Sequence, residues 1–257
     1  MKSGKPFTVI IPARLASTRL PSKPLADIGG KPMIVRTAER ASLSGAEKVI
    51  VATDHEEILN VCISHGITAQ MTSSSHCSGT ERIAEAAMIL GLASDAIVVN
   101  VQGDEPMIEP SLIKEIASKI SDGVPVATAA YTMNLTTDTF NPNLIKVVLN
   151  YLGHAMYFSR AMIPWDRDGV RFGEHLPMTD STLCHIGIYA YTNKFLQIYP
   201  TLNASPLEKI EVLEQLRVLW HGYQIAVHIT EKSHAMGVDT LKDLERVQKY
   251  FSVLAKK

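Results

Sequence analysis

The sequence contains little that would support a disulfide-bonded, zinc-thiolate or membrane protein. Its three cysteines, Cys62, Cys77 and Cys184, are odd in number, widely separated and without CxxC spacing. They provide neither a disulfide framework nor a zinc site, which favours a reducing cytoplasm. No apolar run reaches the roughly 18 residues that a membrane span needs, and the N-terminus has no secretory hydrophobic region. We therefore expect a cytoplasmic protein that has no membrane partner.

The sequence also lacks an excess of either charge. Its 25 Lys and Arg residues face 26 Asp and Glu residues, for a formal net charge of −1. This balance argues against a nucleic-acid partner, although a local basic cleft can still bind a phosphate ligand. With 257 residues, of which 46% are hydrophobic, the chain can bury a large core without covalent cross-links.

Short runs rich in β-branched residues alternate with longer segments of helical period in the first half of the chain. Strands are expected at 7–12, 48–53 and 96–101, with helices at 32–44, 56–65 and 80–90. This alternation is typical of a mainly parallel sheet covered by helices, a three-layer α/β fold. Ligands in such folds bind at the carboxyl ends of the strands, so the residues that follow each strand are the functional candidates.

The second half is richer in strands. Strands are expected at 124–133, 145–150, 154–158, 186–191 and 224–229, with Leu152-Gly153 as a hairpin turn. One long helix is expected over 206–221, with Ser205 as its N-cap and Pro206 at its first position, and a last helix over 240–254. Since no linker separates the halves, we predict a single domain over 1–257 with a smaller mixed-strand elaboration at about 124–195.

A basic loop follows the first expected strand. Arg14, Arg19 and Lys23 fall within ten residues of the loop Arg14-Leu-Ala-Ser-Thr-Arg19-Leu-Pro-Ser-Lys23. Three cations on one loop repel one another unless an anion lies between them, and both Arg and Lys bind phosphate oxygens. The loop has neither GxxxxGK[ST] nor GxGxxG, so a P-loop NTPase or a Rossmann dehydrogenase is not supported. It indicates a polyphosphate site, with a solvated basic loop as the alternative.

Two aspartates lie in small turns next to expected strands. Asp104 lies in Gln102-Gly-Asp-Glu-Pro106, and Asp239 lies in Gly237-Val-Asp-Thr240 before the last helix. Mg²⁺ prefers oxygen ligands and commonly takes one or two carboxylates together with substrate phosphates, so this pair beside a triphosphate loop would suit it. The alternative is structural, because either Asp could cap a helix or stabilise its loop. His and Cys are too scattered to suggest zinc.

A polar ligand site is indicated further along the chain. Alternation in His185-Ile-Gly-Ile-Tyr189 places His185, Gly187 and Tyr189 on one face of a strand. Two hydrogen-bonding side chains around a glycine would form the floor of such a site, although both could also be satisfied core residues. Glu214 and Gln215 lie beside the apolar stripe of the helix at 206–221, where most polar side chains are simply solvated.

Six further blocks, in order along the chain, resemble the 3-deoxy-manno-octulosonate cytidylyltransferase family. They are His76-Cys-Ser-Gly-Thr-Glu-Arg82, Val101-Gln-Gly-Asp-Glu-Pro106, Tyr157-Phe-Ser-Arg-Ala-Met-Ile-Pro-Trp165, His185-Ile-Gly-Ile-Tyr189, Ser205-Pro-Leu-Glu-Lys-Ile-Glu-Val-Leu-Glu-Gln-Leu-Arg217 and Gly237-Val-Asp-Thr240. With the basic loop, the resemblance runs from about residue 7 to 247. Leu241 departs from it, since the family often has Pro there, but this change should affect only the first turn of a helix.

The resemblance implies a Rossmann-like fold of the nucleotide-diphospho-sugar transferase type. It also implies Mg²⁺-dependent transfer of CMP from CTP to 3-deoxy-D-manno-octulosonate (Kdo), with release of pyrophosphate, for lipopolysaccharide synthesis in the cytoplasm. A homodimer is suggested, with the hairpin around 146–158 as a candidate contact. Asp104 and Asp239 are the implied metal ligands, and with Arg19 and Lys23 they are the implied catalytic residues. The implied CTP ligands are Arg14, Arg19, Lys23, Ser78, Gly79, Arg82 and Asp104, and the implied Kdo ligands are Gln102, His185, Tyr189, Glu214 and Gln215.

Two other functions stay open from the sequence. A cytidylyltransferase for sialic acid or another 2-keto sugar acid would differ only in its acceptor contacts. A catalytically silent nucleotide-binding regulator on the same fold is less favoured, because Asp104, Asp239 and all three cations of the basic loop are present. Arg82 and Arg160 could bind either a carboxylate or a phosphate.

Overall fold

The computed structural model describes residues 5–16, 20–133, 140–165, 170–171, 174–175, 182–231 and 237–254. The strands are β1 (Phe7–Ala13), β2 (Lys48–Thr53), β3 (Thr68–Met71), β4 (Ile97–Asn100), β5 (Val126–Thr132), β6 (Lys146–Leu149), β7 (Ala155–Ser159), β8 (Val170–Arg171), β9 (Glu174–His175), β10 (Leu183–Thr192) and β11 (Ile225–Thr230). The α-helices are α1 (Met33–Ser42), α2 (Glu56–Ser64), α3 (Gly79–Ile89), α4 (Pro110–Ser118), α5 (Asn193–Ile198), α6 (Pro206–Glu211), α7 (Gln215–Trp220) and α8 (Leu241–Leu254), with 3₁₀ helices at Lys23–Leu25 and Tyr199–Thr201.

Nine strands form one mixed sheet, in the order β11-β5-β10-β4-β1-β2-β3, with β6 beside β10 and β7 beside β6. Strand β1 is parallel to β2 and β4, β2 is parallel to β3, and β5 is parallel to β11. Strand β10 runs antiparallel between β4 and β5, and β6 and β7 form an antiparallel hairpin. The predicted mainly parallel α/β fold is therefore confirmed, and the strands of the second half join the same sheet.

Apolar residues cover both faces of the sheet because successive side chains of a strand point to opposite sides. Val9 and Ile11 of β1 pack with the helices α1, α2 and α4, whereas Ile10 packs with α3, α5 and α7. This is the expected three-layer arrangement. A third, smaller cluster joins Val238 and α8 to Met33 at the start of α1, and it fixes the segment that carries Asp239.

Local signals in the sequence explain several boundaries. Ser205 caps α6 in a capping box with Glu208, and Pro206 is the first helical residue, as predicted. Gly153 adopts a φ of 75° in the turn between β6 and β7, where the hairpin turn is predicted. Short elements without a clear pattern were not predicted from the sequence, namely β3, β8, β9, α4 and α5.

The prediction of one helix over 206–221 is wrong. The helix is broken at Val212, a non-glycine residue with φ of 54°, so α6 and α7 are separate. Arg160 explains the break, because its guanidinium donates to the carbonyl oxygens of Glu211 (2.6 Å) and Val212 (3.3 Å). These carbonyls would otherwise accept hydrogen bonds from the next helical turn. A contact from a distant part of the chain thus overrides a regular helical pattern.

Within the described ranges, none of the helices is both long enough and apolar enough to cross a membrane.

Candidate active site

Two adjoining cavities open at the carboxyl ends of β1 and β4. The first, of about 360 Å³, is lined by the basic loop after β1, by residues 76–79 before and at the start of α3, by residues 102–104 after β4, and by Asp239. The second, of about 320 Å³, is lined by β10, by the break between α6 and α7, and by Tyr199. Gly79, Gln102 and Glu214 line both cavities, so the two spaces meet at these residues.

The structure brings the two predicted metal ligands together in the first cavity. Lys23 Nζ lies 2.5 Å from Asp104 Oδ2 and 3.1 Å from Asp239 Oδ1, so two carboxylates that are distant in sequence converge on one cation. In the described part of the chain there is no group of three or more His, Cys, Asp or Glu residues that could hold a metal. The site therefore has two protein carboxylates, a number that suits Mg²⁺ completed by substrate oxygens and water.

Two glycines allow the backbones around the carboxylates to approach closely. A Cβ atom on Gly103 would lie 3.0 Å from the Pro12 carbonyl oxygen, and one on Gly237 would lie 3.2 Å from the Asp104 carbonyl oxygen. Val238 N also donates to the Asp104 carbonyl at 2.9 Å. The segment that carries Asp239 is thus held directly against the loop that carries Asp104.

Asp239 does not cap α8, because its neighbours Thr240 and Asp243 do so instead. Thr240 Oγ1 accepts from Asp243 N at 3.2 Å, and Asp243 Oδ2 accepts from Thr240 N at 3.0 Å. This reciprocal pair stabilises the start of α8, while the Asp239 carboxylate turns toward Lys23. Asp104 caps no helix either, since the N-cap of α4 is Glu109.

The basic loop contributes Arg14 and Lys23 to the first cavity. Arg19, the third predicted cation, lies outside the described residues. Lys23 is the first residue of a 3₁₀ helix and follows Ser22, which has a φ of 51°. The sequence predicts that Lys23 binds phosphate. In the structure, its ammonium group contacts the carboxylates of Asp104 and Asp239.

Three of the implied CTP ligands, Ser78, Gly79 and Arg82, lie on the other side of the cavity at the start of α3. Ser78 caps this helix by accepting from Glu81 N at 3.2 Å, and Gly79 packs against Pro12. Arg82 lines the cavity, but its guanidinium donates to Asp54 Oδ2 (2.6 Å) and Thr72 Oγ1 (2.7 Å). These bonds join the loop at 72–79 to the end of β2, so the structure gives Arg82 a role in shaping the cavity.

The sequence did not predict the side-chain pair of His76 and Glu85, which holds the loop at 72–79 against α3. His76 Nε2 lies 2.5 Å from Glu85 Oε2, which also accepts from Ser73 N at 2.8 Å. Partial burial raises the pKa of Glu85, but the hydrogen bonds from His76 and Ser73 and the charges of His76 and Arg82 outweigh it, so the pKa is lowered overall. Glu85 follows Glu81 at a helical spacing of four on α3, which is the only signal in the sequence that both face one loop.

His185, Gly187 and Tyr189 line the second cavity together, as the alternation predicts. His185 Nε2 lies 2.9 Å from Thr128 Oγ1, and Thr128 is itself 2.7 Å from the Ile188 carbonyl oxygen. Because the single hydroxyl proton of Thr128 is used at that carbonyl, His185 donates from Nε2. Burial lowers the pKa of His185 to about 3, so its ring is neutral at physiological pH.

A bulge in β10 and an unpaired hydroxyl characterise the same cavity. The register of β10 against β5 shifts between Ile186 and Tyr189, around Gly187, and such bulges redirect neighbouring side chains. The Tyr189 hydroxyl oxygen is buried without a hydrogen-bond partner of good geometry in the described ranges, although Thr128 is near. Burial raises the Tyr189 pKa, so the group is a neutral hydroxyl that is available to a ligand.

Glu214 and Gln215 enter the second cavity directly after the break at Val212. Glu214 Oε2 accepts from Thr80 Oγ1 at 3.1 Å and from the Tyr199 hydroxyl at 3.4 Å, two partners that sequence reasoning missed. The Gln215 side chain is largely buried beside them. All five predicted Kdo ligands therefore line one cavity: Gln102, His185, Tyr189, Glu214 and Gln215.

Comparisons with known proteins show the family of this chain. The family model "Cytidylyltransferase" matches residues 8–233. A curated 3-deoxy-manno-octulosonate cytidylyltransferase from Herminiimonas arsenicoxydans is 63% identical over 247 residues, which are 96% of this chain and 99% of the relative.

Two solved structures extend the comparison. A CMP:2-keto-3-deoxy-manno-octonic acid synthetase complexed with CTP superposes with a TM-score of 0.86 at 37% identity, covering 98% of this chain and 99% of that one. A cytidylyltransferase from Leptospira borgpetersenii serovar Hardjo-bovis (strain JB197) shares the fold, with a TM-score of 0.62 at 16% identity over 97% of this chain and 88% of its own. The resemblance inferred from the sequence motifs is confirmed: the chain belongs to the 3-deoxy-manno-octulosonate cytidylyltransferase family of nucleotidyltransferases.

Proposed function

We propose that this protein catalyses the Mg²⁺-dependent transfer of CMP from CTP to the anomeric hydroxyl of Kdo, with release of pyrophosphate. The observation that carries the proposal is the junction of the two cavities, where a cation- and carboxylate-lined space meets a polar one at Gln102 and Glu214. This arrangement would bring a nucleoside triphosphate and a sugar acid into contact. The Herminiimonas relative, 63% identical, carries the name of this activity.

Asp104 and Asp239 would hold the metal ion. The fit rests on their convergence, since oxygens of both carboxylates lie within 3.1 Å of one ammonium nitrogen. A bound Mg²⁺ would neutralise charge on the α-phosphate and favour ionisation of the attacking hydroxyl. Lys23 would then leave the carboxylates for the phosphates, a change of partner that a flexible ammonium can make.

The remaining nucleotide contacts would come from both sides of the first cavity. Arg14, Arg19 and Lys23 would bind the triphosphate and stabilise the leaving pyrophosphate, whose negative charge grows in the transition state. Ser78 and Gly79 would lie along the base, in a loop whose shape Arg82 maintains. No protein nucleophile is required, because the sugar hydroxyl attacks phosphorus directly and catalysis comes from positioning and charge stabilisation.

The second cavity would select the acceptor. Kdo presents a carboxylate and several hydroxyls but no N-acyl group. The neutral His185 ring, the unpaired Tyr189 hydroxyl and the Gln215 amide supply donors and acceptors for such hydroxyls. A sugar acid that lacks these hydroxyls would leave buried polar groups of the protein unpaired. Such unpaired groups discriminate strongly between similar substrates.

We also propose a homodimer that works in the cytoplasm and supplies an activated sugar for lipopolysaccharide synthesis. The β6–β7 hairpin would contribute to the dimer contact, because Tyr151, Leu152 and Met156 leave large apolar side chains exposed on it. Sedimentation velocity of the wild type and of a Leu152→Glu variant tests this point. A monomeric wild type would contradict it.

A pyrophosphate-release assay with CTP and a panel of sugar acids tests the proposed reaction. Kdo should give the highest kcat/KM, and chelation of Mg²⁺ should abolish turnover. A preference for N-acetylneuraminate would identify a different acceptor. Binding of CTP without turnover on any sugar acid would identify a regulator.

A further inference from the structure

One ionisable side chain lies in the wall that both cavities share. Of the three residues that line both spaces, Gly79 and the Gln102 amide cannot take up a proton near neutral pH, whereas the Glu214 carboxylate can. In the proposed reaction the new bond joins the α-phosphorus of the nucleotide to the anomeric oxygen of the sugar acid. That bond must form where the two cavities meet, which is beside Glu214.

The hydrogen bonds of Glu214 leave one of its oxygens for a ligand. Thr80 Oγ1 and the Tyr199 hydroxyl both donate to Oε2, and no hydrogen bond to Oε1 is formed among the described residues. The two donors come from α3 and from the 3₁₀ helix at 199–201, so two elements anchor Oε2. Oε1 can therefore accept a hydrogen bond from a substrate hydroxyl in a defined direction.

The backbone around Glu214 is equally constrained. Val212 breaks the helix two residues earlier, and Glu214 is the N-cap residue of α7 rather than part of a continuous helix. Arg160 maintains the break by binding the carbonyls of Glu211 and Val212. The break is thus the feature that directs Glu214 into the shared wall.

Burial of Glu214 favours proton uptake, although most of its polar and charged neighbours oppose it. Its location inside the cavity wall raises its pKa above the ordinary 4.5, and Glu208 on α6 acts in the same direction. Thr80 on α3, Arg217 on α7 and Tyr199 oppose this by stabilising the carboxylate. Arg217 is itself paired with Glu208, at 2.6 and 2.9 Å. Tyr191 of β10 also faces the group and stays neutral, because burial raises its pKa. A base whose pKa lies closer to the working pH is a more efficient catalyst.

We propose that Glu214 is the general base of the reaction. Its Oε1 accepts the proton of the anomeric hydroxyl while the hydroxyl oxygen forms a bond to the α-phosphorus. The bond between the α-phosphorus and the bridging oxygen breaks at the same time, and its electron pair leaves with pyrophosphate. Glu214 then releases the proton to solvent after product departure. The step needs no further reactant, and it rests on the proposed function.

The decisive variant is Glu214→Gln, which keeps the shape of the side chain and an oxygen that can accept from Thr80 and Tyr199. The single-turnover rate should fall about 10²-fold or more, the usual range for loss of a general base. The KM values for Kdo and CTP should stay within about threefold, because only the hydrogen bond to Oε1 is lost and the other contacts to substrate are retained. Formate should partly restore the rate of Glu214→Ala, since a small carboxylate can enter the space left by the side chain.

The pH profile distinguishes a base from a mere contact. In the wild type, the single-turnover rate should fall in acid with an apparent pKa above 4.5, and Glu214→Gln should lack this limb. The double variant Thr80→Val/Tyr199→Phe removes two donors that stabilise the carboxylate. It should therefore raise the Glu214 pKa and move the acid limb to higher pH.

Other results would overturn the assignment. A Glu214→Gln enzyme with a wild-type single-turnover rate and a raised KM for Kdo would make Glu214 a binding residue only. An unchanged acid limb in either variant would also refute the base. If Glu214→Gln does not fold, the double variant and formate rescue decide. A wild type that forms no CMP-Kdo refutes the proposed function itself, whereas a productive wild type with an active Glu214→Gln refutes only the base.

Discussion

Gly237→Ala tests whether the close approach of two loops is what brings the carboxylates together. An added Cβ atom would lie 3.2 Å from the Asp104 carbonyl oxygen and 3.7 Å from Asp104 Oδ1. The nearer atom belongs to the backbone, so the segment at 237–239 must move away by a few tenths of an ångström. That movement would stretch the 2.9 Å hydrogen bond from Val238 N to the Asp104 carbonyl and draw Asp239 away from Asp104.

The expected effects of Gly237→Ala on stability and on catalysis follow from these contacts. Weakening one hydrogen bond costs about 0.5–1.5 kcal/mol, which for a chain of this size lowers Tm by about 2–4 °C per kcal/mol. A misplacement of 1 Å can cost about 10²-fold in rate, so a smaller shift should cost roughly tenfold. The loss should be greatest at limiting Mg²⁺, since the metal site is what changes. The KM for Kdo should be unaffected.

The assay is turnover as a function of Mg²⁺ concentration, at saturating CTP and Kdo, together with thermal unfolding of the unliganded protein. Gly187→Ala is the matched control, because its Cβ would meet no atom within 4 Å and it lies in the acceptor cavity. Wild-type Mg²⁺ dependence and an unchanged Tm in Gly237→Ala would show that the close approach at Gly237 does not position Asp239 beside Asp104.

Four other substitutions test the acceptor cavity, the metal site and the helix break. Gly187→Ala should fold normally but place a methyl group in the second cavity, raising the KM for Kdo and not for CTP in steady-state kinetics. Tyr189→Phe should leave Tm unchanged or higher, since it removes an unpaired buried hydroxyl, while calorimetry shows weaker Kdo binding. Asp104→Asn should cost about 10²–10³ in kcat, and near-wild-type turnover at limiting Mg²⁺ would contradict this. Arg160→Met should destabilise the protein by about 1–3 kcal/mol and lower the single-turnover rate, and a wild-type rate would show that the helix break does not position Glu214.

The sequence was sufficient for the features that depend on local pattern. Short β-branched runs that alternate with helical segments predicted a mainly parallel sheet covered by helices, and Ser205 with Pro206 predicted the start of α6. The grouping of His185 with Tyr189 also followed from alternation alone. Proximity of Asp104 to Asp239 was inferred from the chemistry that Mg²⁺ requires and from the family resemblance. The geometry that achieves it rests on Gly237, whose role appears only when the two loops are in contact.

The features that were missed depend on contacts between distant segments. The break at Val212 is imposed by Arg160, which lies some fifty residues earlier, so the apolar stripe of the helix gave no sign of it. The hydrogen bonds from the Arg82 guanidinium to Asp54 and Thr72 were not predicted either. Likewise, nothing in the sequence assigns Thr80 and Tyr199 to one carboxylate. Propensity and spacing do not encode such pairings, because they arise from tertiary packing.

The two adjoining cavities should together join one nucleotide to one sugar acid. Phosphorus-31 NMR of the wild-type protein with CTP, Kdo and Mg²⁺ tests it most directly, because it observes the new bond itself. We expect a phosphodiester resonance of CMP-Kdo that grows in equal amount with pyrophosphate while CTP disappears, and no such resonance without Mg²⁺. Consumption of CTP to CMP and pyrophosphate without a sugar phosphodiester, or no consumption at all, would contradict it.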